Sequence, residues 1–340
     1  MSVKKNKINQ DKSGTDNQQI ISISFTDVDH FTEFFSYSKM QMIQLTAEFF
    51  QSEFLSIQIG NLYFIRHHGN QGIQVCGENL NKYRNFVIIC SENEEEFYSH
   101  RRPIDPQRTI FGFHRGEVDF IVPQGGTIVN ILIPVEIFHA YADQLQRHDL
   151  DDNFLNKNYV NLLPTGMREI KDYLKEIFWL AEHKPSWLQQ DHVVDIVNND
   201  FLPLLISKIP TKWNSKSSLK PSRRAKLIAQ AEQEMLASFE KPLTLKQLAQ
   251  KLESSSSALS YGFKELFGMS PMRYLKVRRL NAVRQRLKAS EPENFTITML
   301  ASQFGFWSAG HFARDYKAMF GELPSDTLQK TAKVSLGVDG

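Results

Sequence analysis

Cysteine is scarce in this sequence: its 340 residues contain two, Cys76 and Cys90. Two cysteines supply neither a disulfide framework nor the four ligands of a structural zinc site, and they suit the reducing cytosol. No run approaches the roughly 18 apolar residues that a membrane-spanning helix needs. The basic, polar stretch Met1 to Gly14 is not followed by an apolar segment. We therefore expect a cytoplasmic protein without a secretory signal or a membrane partner.

Motifs for catalysis and for cofactor binding are also missing. Gly125-Gly126 lies between two strand-like runs, whereas a phosphate-binding glycine loop joins a strand to a helix. Ser186 lies near Asp191 and His192, but no nucleophile elbow surrounds it. The pair His67-His68 cannot chelate one ion, because adjacent side chains on a strand point to opposite faces. We expect no catalytic residue, no metal site and no cofactor.

The charge is distributed unevenly. Residues 220–340 contain 19 Lys and Arg against 11 Asp and Glu, a net charge of +8, whereas residues 1–219 contain 21 against 27, a net charge of −6. A basic segment attached to an acidic one indicates a polyanionic partner, of which nucleic acid is the first candidate.

The sequence predicts five segments. Residues 1–19 are polar and are expected to be disordered, residues 20–210 form a β-rich domain, and the polar residues 211–222 form a linker. Residues 223–330 form a helical domain, and residues 331–340 form a tail.

Short apolar runs separated by Gly and Pro predict a sandwich or barrel in the β-rich domain. From Leu55 to Ile65, apolar and polar residues alternate on either side of Gly60-Asn61, a pattern that is typical of a hairpin. The other strand-like runs are Ile20–Phe25, Phe86–Cys90, Thr109–Phe113, Val118–Val122 and Thr127–Ile133.

Helical periodicity replaces the strand pattern after Pro134, where a helix is expected to run to about His148. Two further helices are predicted at Met167–Glu182 and at Trp187–Ile209, the latter kinked or broken at Pro203. At about 165–209 these two helices carry apolar stripes that either pack on their own β domain or form a homodimer interface. We expect the homodimer.

The basic segment has the pattern of two helix-turn-helix units. Thr244 and Gln247 predict a capping box for a short helix, and the serines at 254–257 form a turn before a helix that ends at Gly268. The same pattern returns from Ile297 to Phe320, and the basic helix Tyr274–Lys288 joins the two units. In such a unit the second helix lies in the major groove of DNA.

At this point the sequence resembles the AraC family of bacterial transcription regulators, from Ala225 to Leu328. The resemblance rests on Leu248-Ala249, Gly268-Met-Ser-Pro271, Gly305-Phe306 and Phe320-Gly321, among other positions. The sequence departs from the family at Val283, Gly310 and Thr327-Leu328. The segment Glu322 to Leu328 is similar to a branch that includes ethanolamine-utilisation regulators.

The resemblance implies an α+β protein with an N-terminal cupin-like sensor domain, flanking helices and a C-terminal all-α tandem helix-turn-helix domain. Its implied partners are double-stranded DNA, RNA polymerase and an effector or partner protein, and its implied action is activation of transcription. Two alternatives are a β-barrel enzyme with a DNA-binding appendage and an architectural DNA-binding protein.

The candidate DNA-binding residues lie on the outer faces of the predicted recognition helices and on the joining helix. On the recognition helices they are Ser257, Ser260, Tyr261, Lys264, Ala309, Gly310, His311, Arg314 and Lys317. On the joining helix, Arg278 and Arg284 either bind phosphate or belong to a solvated face.

Overall fold

The computed structural model describes residues 20–34, 40–78, 82–91, 95–113, 116–211, 222–239, 243–289 and 296–335. The predicted disordered start, nearly all of the predicted linker and residues 336–340 lie outside this part of the chain. The strands are β1 (Ile20–Phe25), β2 (Gln41–Gln44), β3 (Ser52–Ile59), β4 (Leu62–Gly69), β5 (Ile73–Glu78), β6 (Tyr83–Ile89), β7 (Phe97–Ser99), β8 (Arg102–Ile104), β9 (Thr109–Phe111), β10 (Glu117–Val122), β11 (Thr127–Pro134) and β12 (Tyr159–Asn161). The helices are α1 (Val28–Phe34), α2 (Val135–Gln144), α3 (Asp152–Leu155), α4 (Pro164–His183), α5 (Asp191–Lys208), α6 (Arg223–Ala237), α7 (Leu245–Lys251), α8 (Ser256–Phe267), α9 (Pro271–Ala289), α10 (Ile297–Gln303), α11 (Ala309–Phe320) and α12 (Pro324–Ser335).

Two antiparallel sheets form the N-terminal half, as the strand pattern predicts. The larger sheet has the order β1-β3-β4-β11-β6-β9-β12, and the smaller has the order β2-β5-β10-β7-β8. The predicted hairpin is β3 and β4, in which Ile59 pairs with Leu62 across Gly60-Asn61. Gly60 has a φ of +57°, in the left-handed region that favours glycine.

The smaller sheet is buried on both faces, because its side chains alternate between two hydrophobic cores. Met42, Phe97 and Val122 join the core between the sheets. Their neighbours Ile43, Tyr98 and Ile121 join a core that continues into the C-terminal helices. The chain is therefore layered as helices, large sheet, small sheet and C-terminal helical domain.

The apolar stripe of α4 packs within its own subunit, which corrects the dimer interface expected there. Ile170, Leu174 and Ile177 lie in one core with the large sheet and with α5. Leu174 is 1% exposed. Helix α4 therefore packs on its own β domain, which is the alternative to a homodimer interface that its periodicity also allowed.

Several helices differ from the sequence predictions in their course or their ends. Helix α5 runs through Pro203 without ending, because Phe201, Leu202, Leu205 and Ile206 around it are buried and offset the roughly 3 kcal/mol that proline costs inside a helix. Helix α2 ends at Gln144, earlier than predicted. Helix α12 continues to Ser335, beyond the expected domain end at residue 330.

No helix within the described ranges is long and apolar enough to cross a lipid bilayer.

Candidate functional site

The first helix-turn-helix unit comprises α7 and α8. The Thr244 side chain accepts from the Gln247 backbone N–H, and the Gln247 side chain accepts from the Thr244 N–H, which forms the predicted capping box. Ser255 caps α8, and Gly268 ends it with a φ of +66°. Because left-handed backbone is costly for other residues, glycine here stops the helix where the sequence predicts.

The second unit repeats this arrangement in α10 and α11. Thr296 caps α10, Ser308 caps α11, and Gly321 ends α11 with a φ of +74°. Helices α8 and α11 both have 12 residues, and their fourth residues, Leu259 and Phe312, are both buried. Positions on the two helices therefore correspond one to one when counted from the cap.

Helix α9 joins the units and holds them through one continuous core. Tyr274, Leu280 and Val283 are fully or nearly fully buried among side chains of both units. The two recognition helices therefore pack against the same helix.

Both recognition helices present the residues selected from the sequence. Ser257, Tyr261 and Lys264 are exposed on α8, and Ser260 is half-buried. The Tyr261 ring is 62% exposed, and the Arg224 guanidinium lies 4.6 Å from its centre. On α11 the exposed residues are Ala309, Gly310, His311, Arg314 and Lys317.

Counted from the caps, Tyr261 of α8 corresponds to Arg314 of α11, and Lys264 corresponds to Lys317. Each outer face thus carries a lysine and one larger group that can contact a base. Trp307, directly before the Ser308 cap, is also exposed, and it was not among the predicted residues.

Arg284 does not lie on this surface, which corrects its assignment as a phosphate contact. It is 5% exposed and pairs with Asp27 at 2.7 Å, with Asp29 at 3.2 Å and with Glu322 at 2.7 Å. Lys288 also pairs with Asp27 and Asp29. We call these five residues the buried ion cluster. They connect the N-terminal domain to α9 and to the turn between α11 and α12. The guanidinium of Arg284 is therefore neutralised by carboxylates of the protein and is not accessible to a DNA phosphate.

Electrostatics inside the buried ion cluster favour the charged forms. Burial raises the pKa of Asp27, but the charges of Arg284 and Lys288 outweigh it, so the pKa lies well below its usual range. Burial likewise lowers the pKa of Arg284, and Asp27 and the neighbouring acidic groups more than compensate.

Arg278 also faces the N-terminal domain and not the outer surface. Its Nη1 donates to the Gln74 Oε1 of β5 at 3.1 Å and to the Tyr274 hydroxyl at 3.1 Å. The Tyr274 hydroxyl in turn donates to Glu232, which is paired with Arg101 of the N-terminal domain. This second polar cluster is a domain contact, because residues from both domains satisfy its donors and acceptors.

The small sheet and its β2–β3 loop contact the carboxyl ends of both recognition helices. The Tyr98 hydroxyl donates to the Glu265 carbonyl of α8 at 2.9 Å. At α11, Gln44 Nε2 donates to the Met319 carbonyl at 3.0 Å, and the Glu48 backbone N–H donates to the Ala318 carbonyl at 3.0 Å. We call these three bonds the helix-end contacts. Sequence patterns give no sign of them, because the partners lie in different domains.

The described histidines and cysteines of the N-terminal domain do not form a metal-binding cluster. His67 is buried and stacks on Phe31 at 4.5 Å, whereas His68 is exposed and bonds the Thr127 hydroxyl. Burial raises the pKa of the Cys76 thiol to about 12 and that of Cys90 to about 11. Among the residues that the structure describes, no three His, Cys, Asp or Glu side chains are grouped so as to hold a metal ion.

Residues 248–330 match a family model described as a helix-turn-helix domain. The XylDLEGF operon transcriptional activator 1 of Pseudomonas putida is 30% identical over 151 residues, which are 44% of this chain and 44% of that protein. The probable thc operon regulatory protein of Rhodococcus erythropolis is 37% identical over 93 residues, 27% of this chain and 28% of that protein. The matched part therefore spans less than half the length of these relatives.

Two solved structures are each similar to about a third of this chain. A probable AraC family transcriptional regulator from Rhodopseudomonas palustris is 36% identical, with 31% of this chain and 97% of that chain covered and a TM-score of 0.29. A transcriptional regulator with an AraC-type DNA-binding domain from Chromobacterium violaceum is 28% identical, with 32% and 94% covered and a TM-score of 0.30.

Proposed function

Because residues 248–330 form a helix-turn-helix domain of the AraC type, we propose that this protein is a sequence-specific regulator of transcription that binds double-stranded DNA. The observation that carries the proposal is the matched outer faces of α8 and α11. Both are exposed, both carry a lysine at the same position, and both are attached to one helix. Two such helices can enter successive major-groove faces, about 34 Å apart along the duplex.

The side chains on the two faces have different chemistry. Arg314 can form a bidentate contact with guanine, which contributes about 1–3 kcal/mol of discrimination. Tyr261 holds the corresponding place on α8, with Ser257 and Ser260 beside it. Lys264 and Lys317 are suited to phosphate, where a point charge adds affinity without sequence information.

Selection of duplexes from a random pool by the full-length protein tests this proposal. We expect an asymmetric site that spans about two helical turns, with affinity falling steeply as salt rises, because phosphate neutralisation releases counterions. The double variant Tyr261→Ala/Arg314→Ala should lose the selected site, and Lys175→Ala, an exposed lysine of the N-terminal domain, should keep it. Binding without any sequence preference would favour an architectural protein instead.

The N-terminal domain is proposed to control DNA binding in response to an effector. Support comes from the helix-end contacts, because a movement of the small sheet would reach both recognition helices at once. An effector that favours one arrangement of the sheets would shift an existing equilibrium between helix spacings.

The helix-end contacts give that control a direct test. Tyr98→Phe and Gln44→Ala remove the donors to α8 and α11 and leave the outer faces intact. We expect both variants to tolerate sites with altered spacing between the two contacted segments, as measured by binding to duplexes with one inserted or deleted base pair. Wild-type spacing preference in both variants would refute the coupling.

Activation of transcription through RNA polymerase and homodimer formation complete the proposal. The similar proteins that are named as transcriptional activators support activation of transcription. Exposed apolar side chains support homodimer formation. Trp179 and Trp187 both contact the Lys184 ammonium, and each remains about half exposed. Sedimentation of the wild type and of Trp179→Ser/Trp187→Ser tests whether this patch joins two copies.

A further inference from the structure

Trp307 is the most exposed large apolar side chain among the described residues, at 78%. It stands directly before the cap of α11, where the candidate recognition helix begins. An apolar residue at that position commonly packs against the fourth residue of the helix and fixes the entry of the chain. Here the fourth residue is Phe312.

Phe306, not Trp307, makes that packing contact. The centres of the Phe306 and Phe312 rings lie 5.1 Å apart. The Arg279 guanidinium also packs on Phe306, 5.2 Å from the ring centre. The indole of Trp307 is therefore not needed to close the turn. Its exposure calls for another explanation.

The turn of the second unit is one residue longer than that of the first. Three residues, 252–254, separate α7 from the Ser255 cap, whereas four residues, 304–307, separate α10 from the Ser308 cap. Gly305 accommodates the longer turn with a φ of +72°. Ser254 precedes the cap in the first unit, so a bulky group before the cap occurs in the second unit alone.

The first two residues of α11 have no side chain that could hydrogen-bond to a base, and His311 follows them. Ala309 and Gly310 follow the cap, and a Cβ placed on Gly310 would meet nothing within 4 Å. The N-terminal residues of a recognition helix are those that approach base edges. The Ala309 methyl group, the Gly310 backbone and the Trp307 indole together form an apolar surface. Such a surface fits an apolar substituent on a base, and in the major groove that substituent is the 5-methyl group of thymine.

We propose that Trp307 is a specificity-determining residue of the second unit, whose indole contacts the 5-methyl group of a thymine at the edge of the DNA site. This inference rests on the proposed DNA binding. It adds an apolar contact to the polar contacts assigned to Arg314, and it locates the contact beside the first turn of α11.

Replacement of thymine by deoxyuridine tests the contact, because it removes the methyl group and nothing else. With the full-length protein and a selected duplex, each thymine is replaced in turn. We expect one or two positions where wild-type affinity falls about tenfold, within the cost of a single base-pair mismatch. Trp307→Ala should bind the unmodified duplex about tenfold more weakly and should be insensitive to deoxyuridine there, whereas Trp307→Phe should keep part of that sensitivity.

Leu163→Ala is the matched control, since it removes an exposed apolar side chain from the N-terminal domain and should leave the deoxyuridine pattern unchanged. Equal deoxyuridine sensitivity in wild type and Trp307→Ala would overturn the inference while DNA binding stands. So would a Trp307→Ala variant that binds normally but activates transcription poorly, because that result assigns the indole to a protein partner. A wild-type protein that selects no duplex would refute both proposals.

Discussion

The guanidinium of Arg284 and the carboxylate of Asp27 form an ion pair at 2.7 Å although 257 residues separate them in the chain. Arg284 belongs to the helix that joins the two helix-turn-helix units, and Asp27 immediately precedes α1 of the N-terminal domain. The pair therefore joins the domain proposed to sense the effector to the element that positions both recognition helices. Since the pKa of Asp27 is held well below its usual range, its contribution is full above about pH 4 and is lost as the pH falls further.

We expect Arg284→Ala to destabilise the protein by about 3 kcal/mol, because removal of one partner leaves buried carboxylates without compensation. Urea unfolding of the full-length chain without DNA measures this loss. Arg273→Ala, at an exposed position on the same helix, serves as the control and should unfold like the wild type. An unchanged unfolding midpoint combined with weaker binding to every duplex would show instead that Arg284 contacts phosphate.

Arg314→Ala and Lys264→Ala should affect DNA binding in different ways. Loss of Arg314 removes a base contact, so specificity should relax at one or two base pairs by about 1–3 kcal/mol, whereas loss of Lys264 should weaken all sequences alike and reduce the salt slope by about one. Competition binding over a range of salt concentrations separates the two effects. If both variants lose affinity equally on all duplexes, the division between base and phosphate contacts is wrong.

His67 should make stability depend on pH between about 3 and 6.5. Burial between the sheets, with a smaller effect from His68, lowers its pKa to about 3, whereas the unfolded chain has the ordinary value near 6.5. The unfolded state therefore binds more protons in this window, so stability falls as the pH is lowered through it, by on the order of 4 kcal/mol in total.

The variant His67→Phe keeps an aromatic ring against Phe31 and removes the titrating group. Its unfolding free energy should vary less between pH 7 and pH 3 than that of the wild type, as measured by urea denaturation at each pH. His192→Gln, at an exposed histidine of α5, should retain the wild-type dependence. Identical pH profiles for wild type and His67→Phe would contradict the assignment.

Leu174→Ala should lower the unfolding free energy by about 2–5 kcal/mol, because it leaves a cavity in the core between α4 and the large sheet. Leu174→Glu should unfold the N-terminal domain and not merely separate subunits. Ile196→Glu, on the exposed side of α5, should change stability by less than about 0.5 kcal/mol. A Leu174→Glu variant that is monomeric and fully folded would restore the dimer interface predicted from the sequence.

Local chemistry made much of the C-terminal domain predictable. Thr244 with Gln247, the serine caps, and Gly268 and Gly321 each act within a few residues, so the helix boundaries follow from short-range hydrogen bonds and backbone preference. The hairpin around Gly60-Asn61 is predictable for the same reason. The outer faces of α8 and α11 follow from helical periodicity, because their inner positions are consistently apolar.

Strands β5, β7 and β8 and the path of α5 through Pro203 depend on distant partners, so local sequence patterns do not predict them. The same holds for the apolar stripe of α4, whose periodicity shows that it is buried but not by what. Charge is the clearest case. Arg284 and Arg314 are both arginines on basic helices, yet one is enclosed by Asp27, Asp29 and Glu322 and the other faces solvent. Sequence alone determined the two units and their recognition helices, whereas only the tertiary structure decided which cations the N-terminal domain neutralises, because the carboxylates that bind them lie hundreds of residues away.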